Sequence, residues 1–173
     1  MDATQDDHKV RLRVDGMDYA GWTSVRISAG VERQSRDFEL SICWQWPGQD
    51  QPLPIKQGAR AQVWIGQDLV LTGWVFATPI AHTPDSITRS IQGRSLAADL
   101  VDCSAVNQPG QWRRQSMQKV VQALAKPFGL HVLSEVAETA ALVDHTIKPG
   151  ETAFESVDRL LTQSRLLSTD DAQ

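Results

Sequence analysis

The sequence predicts an α+β protein: a small antiparallel β-barrel followed by a mixed helix and strand (α/β) domain. Two observations carry this. About six short runs of alternating apolar and polar residues, joined by turn formers, fill the first hundred positions. After Gly93 the apolar spacing changes from that of a strand to that of a helix, and two capped, striped helices follow. The expected division is a flexible arm over residues 1–8, a barrel over 9–93 and a mixed domain over 94–173 that is incomplete at its carboxyl end.

In chain order, Val10, Leu12 and Val14 share one face of KVRLRV, with Arg11 and Arg13 on the other. Asp15-Gly16 suits a tight hairpin turn, and Trp22–Val31 is the expected returning strand. The clearest strand is Asp37–Trp46, with Phe38, Leu40, Ile42, Trp44 and Trp46 in phase. Pro47, Pro52 and Pro54 mark the loop that follows. Strand character resumes at Ala61–Gly66 and Leu69–Pro79, where LVLTGWVFA is apolar on both faces and Gly73 suits a bulge or bend. Ile87, Arg89 and Ile91 alternate in the last strand of this half.

In the second half, Ser116 is placed to cap a helix with Met117, Val120, Val121 and Leu124 on one face, ended by Pro127 and Gly129. His131–Val136 reads as a short strand. Thr152 and Glu155 form a capping box ahead of Phe154, Val157, Leu160 and Leu161. Leu166–Thr169 reads as the start of another strand, and Asp170-Asp171-Ala172-Gln173 are turn formers that normally lead to its partner. The chain is therefore expected to be the amino-terminal part of something longer.

Composition narrows the function classes. At 173 residues, 41% hydrophobic and 22% charged, the chain has the makings of a packed core. Its opening MDATQDDHK is no secretory signal and no apolar run reaches bilayer length, so synthesis in the cytoplasm and no membrane insertion are expected. Cys43 and Cys103 stand far apart, and the four histidines form no metal-binding spacing, so no metal and no cofactor is expected. A net charge of -4 argues against a surface built to neutralise phosphates.

Two features point toward chemistry or binding. Gly93-Arg94-Ser95-Leu96-Ala97 approximates a nucleophile elbow, which would make Ser95 the nucleophile of a serine hydrolase. The plainer reading is that Ser95 caps a helix, because the chain lacks the alternating strands and helices of a hydrolase sheet. Among the six tryptophans, Trp64 and Trp74 lie out of phase with their apolar neighbours. With Phe76 they are candidates for a subunit or partner interface. A layer covering the barrel from within the chain, or a carbohydrate-binding face, are the other readings of outward tryptophans.

From GWTSVRIS at 21–28 through SIQGRSLAADLVDCSA at 90–105, and again in PGETAFESVDRLL at 149–161 and LLSTDD at 166–171, the chain resembles the baseplate hub proteins of Mu-like contractile-tailed phages. By extension it is similar to the central hub protein of T-even phages and the amino-terminal part of type VI secretion spike proteins. The resemblance implies a virion scaffold without enzymatic activity. Such a hub is a homotrimer whose six barrels form a ring between the tail tube protein and the trimeric spike protein, around a channel for DNA. An acidic wall would let the phosphate backbone pass without binding it.

Overall fold

The computed structural model describes residues 8–31, 33–43, 55–84, 86–136 and 142–172. They fall into two units, one drawn from Met1–Ala29, Arg36–Ser95 and Asp170–Gln173, the other from Gly30–Ser35 and Leu96–Thr169.

The first unit is one antiparallel sheet. Its strands are β1 (Val10–Val14), β2 (Met17–Tyr19), β3 (Ser24–Ser28), β4 (Asp37–Cys43), β5 (Arg60–Ile65), β6 (Asp68–Ala77), β7 (Ile80–His82) and β8 (Ile87–Ser95), in the order β2-β1-β5-β6-β8-β4-β3 with β7 also beside β8. The turn at Asp15-Gly16 has positive φ at both residues, 51° and 81°, and sets Val14 opposite Met17. The hairpin thus forms where expected, but its second strand is β2. Gly21, at φ 87°, turns the chain away, and the Trp22–Val31 segment supplies β3, which pairs with β4. Trp44, Trp46 and positions 47–54 of the expected Pro47–Gly58 loop lie outside the described residues.

Alternation places Leu12 and Val14, Phe38 and Leu40, Ala61 and Val63, Leu71 and Val75, and Ile91 on one face, all buried in a single cluster. No helix covers them among the described residues of this unit, so the inner faces must cover one another, which only a curled sheet allows. The path ends at β2 and β3 without pairing between them, so the expected closed barrel is an open, curled sheet among the described residues. The physical reason lies in β2: three residues, largely exposed, offer too short a ladder to complete a ring.

Two glycines permit the curl. A Cβ at Gly93 would collide with the Phe38 ring and stand 2.6 Å from the Trp74 carbonyl oxygen; one at Gly73 would collide with the Arg94 carbonyl. Between Val75 and Ala77 the register of β6 on β8 shifts, so the bend anticipated near Gly73 is accompanied by a bulge at Phe76.

The second unit contains α1 (Ala98–Asp102), α2 (Met117–Ala125), α3 (Ala153–Thr162) and a ribbon of β9 (Gln111–Ser116) on β10 (Leu142–Thr146). The stripe Met117, Val120, Val121 and Leu124 on α2 packs with Val157, Leu160 and Leu161 on α3. The capping box is complete: the Glu155 N–H donates to Thr152 Oγ1 at 3.1 Å, and the Thr152 N–H donates to Glu155 Oε2 at 2.8 Å. Gly129, at φ 71°, ends the short 3-10 turn Lys126–Phe128 that follows α2.

Several local expectations are corrected. Ser116 stands at the N-cap position of α2, yet its hydroxyl does not cap, because the residue is also the last of β9 and its Oγ is buried. His131–Val136 and Leu166–Thr169 are not strands. The strands of this unit are instead β9 and β10; QWRRQS lacks two-residue alternation, and Arg114 breaks it with a φ of 49°.

Gly93→Ala is expected to lower stability by about 1–3 kcal/mol through overpacking, with Phe38→Leu in the same chain recovering part of the loss in urea unfolding. Thr152→Ala is expected to cost about 1 kcal/mol, read by the same method.

Candidate functional site

The outer face of the sheet carries the sequence's interface candidates. On β5, Ala61 and Val63 point to the core, so Arg60, Gln62 and Trp64 point outward. Trp64 is half-buried because its cross-strand partner Arg11 and the neighbouring Arg13 lay their guanidinium carbons 5.9 and 5.8 Å from its ring centroid. Arg13 is fixed in turn by Asp18, through Nε at 2.7 Å and Nη2 at 2.9 Å. Trp64 is thus covered by its own sheet.

Trp74 and Phe76 differ. Trp74 is 38% exposed, opposite Arg60 and Arg94, with the Arg60 guanidinium 6.0 Å from its ring. Phe76, on the bulge, is 68% exposed. Ile80, on the next strand beside β8, is 54% exposed but lies opposite Arg89, in phase with the buried Ile91, and so on the other face. Trp64 lies four positions along β5 from Arg60, Trp74's partner, or about 13 Å at strand rise. The structure therefore brings Trp74 and Phe76 together and sets Trp64 apart. Neither Arg60 nor Arg11 could be matched to its indole without the strand order.

Ser95 takes neither role considered for it. It ends β8, is 1% exposed, and α1 begins three residues later with Ala97 at its N-cap. Its Oγ accepts the Arg36 N–H at 3.1 Å and hydrogen-bonds the Asp170 carboxylate. A nucleophile must be reachable, and this hydroxyl is enclosed. Nor do the tryptophans form a row of stacking platforms for sugar: among the described residues, Trp22, Trp64 and Trp112 are all at least half covered. No group of three or more metal-ligating side chains gathers among the described residues.

In the second unit the buried polar pair is His145 and Ser156, with His145 Nε2 2.8 Å from Ser156 Oγ. The Trp112 ring lies 6.0 Å from the imidazole. Nearby, Arg159 Nη2 meets Glu151 Oε1 at 2.9 Å.

Against this geometry the comparisons with known proteins are consistent along the chain. Residues 9–95 match the family described as Mu phage baseplate assembly protein GpP-like, N-terminal, and residues 97–173 match the baseplate hub protein gp44-like second domain. The chain belongs to the GpP-like family of Mu phage baseplate assembly proteins. It is 32% identical over 166 residues to the baseplate hub protein gp44 of Escherichia phage Mu, covering 94% of this chain and 43% of that protein. The crystal structure of the 43 kDa tail protein of prophage MuSo2 from Shewanella oneidensis superposes with a TM-score of 0.87 at 33% identity, over 95% of this chain and 51% of that one. A tail protein from Neisseria meningitidis MC58 shares the fold, with a TM-score of 0.77 at 23% identity over 95% of this chain and 48% of its own. The chain spans about half the length of the relatives it matches.

The buried imidazole gives the second unit a signed pH response. Burial, reinforced by the Arg159 charge and opposed by Glu151, pushes His145 below its ordinary value of 6.5. The folded unit then takes up a proton less readily than the unfolded chain, so stability is full above pH 6.5 and declines as pH falls below it. Thermal unfolding between pH 7.5 and 5 should show that decline in the second unit, and His145→Gln should flatten its slope.

Proposed function

We propose that this chain is the amino-terminal part of a phage tail baseplate hub, a structural component of the virion that acts as a scaffold and not by chemistry. The observation that carries the reading is the run of similarity to a baseplate hub protein along 94% of the chain at 32% identity. The two matched domains follow in the same order on consecutive residues. An enclosed Ser95 is consistent with a role that needs no nucleophile.

In this reading the whole protein is a homotrimer. Each subunit contributes two curled sheets of the kind seen in the first unit, closed into barrels by further chain, to a ring that joins tail tube to spike around the DNA path. The contact surface is the Trp74 and Phe76 flank. Large apolar groups left exposed on an otherwise polar outer face are the usual anchors of a subunit contact. Trp64, already roofed by Arg11 and Arg13, contributes to the stability of the single chain more than to assembly.

The test is solution mass by light scattering on a protein extended past Gln173, beside its Trp74→Ser, Phe76→Ser double variant. A trimer is expected for the former. The double variant should fall to monomer at low micromolar concentration with an unchanged circular dichroism spectrum. A monomer at every concentration before substitution would overturn the ring, and a trimer indifferent to the substitutions would remove this flank from the interface.

A further inference from the structure

The chain passes between its two units after residues 29, 35, 95 and 169. At three of these four points the residue on the side of the first unit is Arg36, Ser95 or Asp170, and these three are bonded to one another. The Ser95 N–H donates to the Arg36 carbonyl at 2.9 Å, and the Arg36 N–H donates to Ser95 Oγ at 3.1 Å. Arg36 Nη2 donates to the Asp170 carbonyl at 2.6 Å, and Ser95 also hydrogen-bonds the Asp170 carboxylate. Two further bonds tie the group to β6: Arg36 Nη1 to the Val70 carbonyl and Thr72 Oγ1 to the Ala172 carbonyl, each 2.8 Å. The GRS and STDD segments, far apart in sequence, meet here.

We propose that Arg36, Ser95 and Asp170 form a clasp that fixes the chain's crossing points on the first unit, and that protonation of the Asp170 carboxyl tightens it. The geometric ground is the carboxylate itself. Asp170 Oδ2 is buried and lacks a hydrogen-bond partner, a position that disfavours negative charge and that a neutral carboxyl tolerates better. The groups facing it from each packed element are few. Arg36 precedes β4 and brings the positive charge, Ser95 of β8 and Thr72 of β6 are neutral, and Asp171 beside it adds a like charge.

Burial leads the balance and Asp171 adds to it, while Ser95 and the N–H and guanidinium of Arg36 oppose them; the result lies above the ordinary value of 3.8. The clasped state therefore binds a proton more readily than the open one. Its grip strengthens as pH falls from neutral toward 3.8 and is lost as pH rises through the clasped-state value. This sign is opposite to that of His145, so a global melt mixes the two and a site-resolved readout is needed.

The experiment is amide hydrogen exchange at Arg36 and Ser95 in the 173-residue chain carrying His145→Gln, corrected for the intrinsic pH dependence of exchange. Protection at both amides is expected to rise as pH is lowered from 7 toward 3.8, up to tenfold for each pH unit over which Asp170 titrates. With Asp170→Asn added, protection should no longer vary with pH. Protection that is flat with pH before that substitution, falls with acid, or keeps its slope in Asp170→Asn would overturn the proposal. Carbon-13 titration of the Asp170 carboxyl in the unsubstituted chain provides a second reading that needs no variant. A midpoint above 3.8 is expected, and one below it would overturn the switch.

Discussion

A sheet with no helix among the described residues of its unit must cover its own core, and in the first unit that requirement rests on the approach of β6 and β4 to β8. Gly73 and Gly93 leave the space, and the Phe38 ring occupies what a side chain at Gly93 would have filled. The curl brings Leu12, Val63, Leu71, Ile91 and Leu40, from five different strands, into one buried cluster. Burying a side chain of this size is worth about 1.5–3 kcal/mol, so the glycines, which contribute no apolar surface, govern most of what the unit gains. On the outer face, Phe76 keeps the phase of Trp74 and presents its ring to solvent at the bulge.

The second unit meets the same need by other means. Its apolar stripes lie on helices, and α2 and α3 bury them against each other beside a two-stranded ribbon that could not stand alone. The His145–Ser156 pair sits under that packing, and its hydrogen bond satisfies two polar groups that the helices would otherwise leave buried and unpaired.

What was legible in the sequence was local. KVRLRV and DFELSI announce β1 and β4 by alternation, Asp15-Gly16 announces its turn, and Thr152 with Glu155 announces α3 by side chains three residues apart. The ribbon was hidden because nothing in QWRRQS alternates; its pairing with β10 is a tertiary decision. Closure of the barrel was equally out of reach, since it depends on whether β2 and β3 meet. The phases of Trp64 and Trp74 correctly indicated outward rings, but their different exposures depend on which arginine lies across the strand, and that requires the strand order. The family was legible in segments such as GWTSVRIS and SIQGRSLAADLVDCSA, and the comparisons along the whole chain agree with it. Asp170 looked like a turn former, and no sequence pattern singled out Arg36. Neither carries a local sign that it answers a residue some 60 to 130 positions away.

The two family matches meet near residue 96, which invites the view of two exchangeable modules. The fold does divide there, but the chain returns to the first unit after residue 169. Asp170 and Ala172 fall within the second match, yet they are bonded to Arg36 and Thr72 within the first. A hybrid gene joined at that seam would import from its donor the last residues of the recipient's own sheet unit. A recombinant joined there keeps those bonds only if its donor segment carries residues that fit Arg36, Thr72 and Ser95.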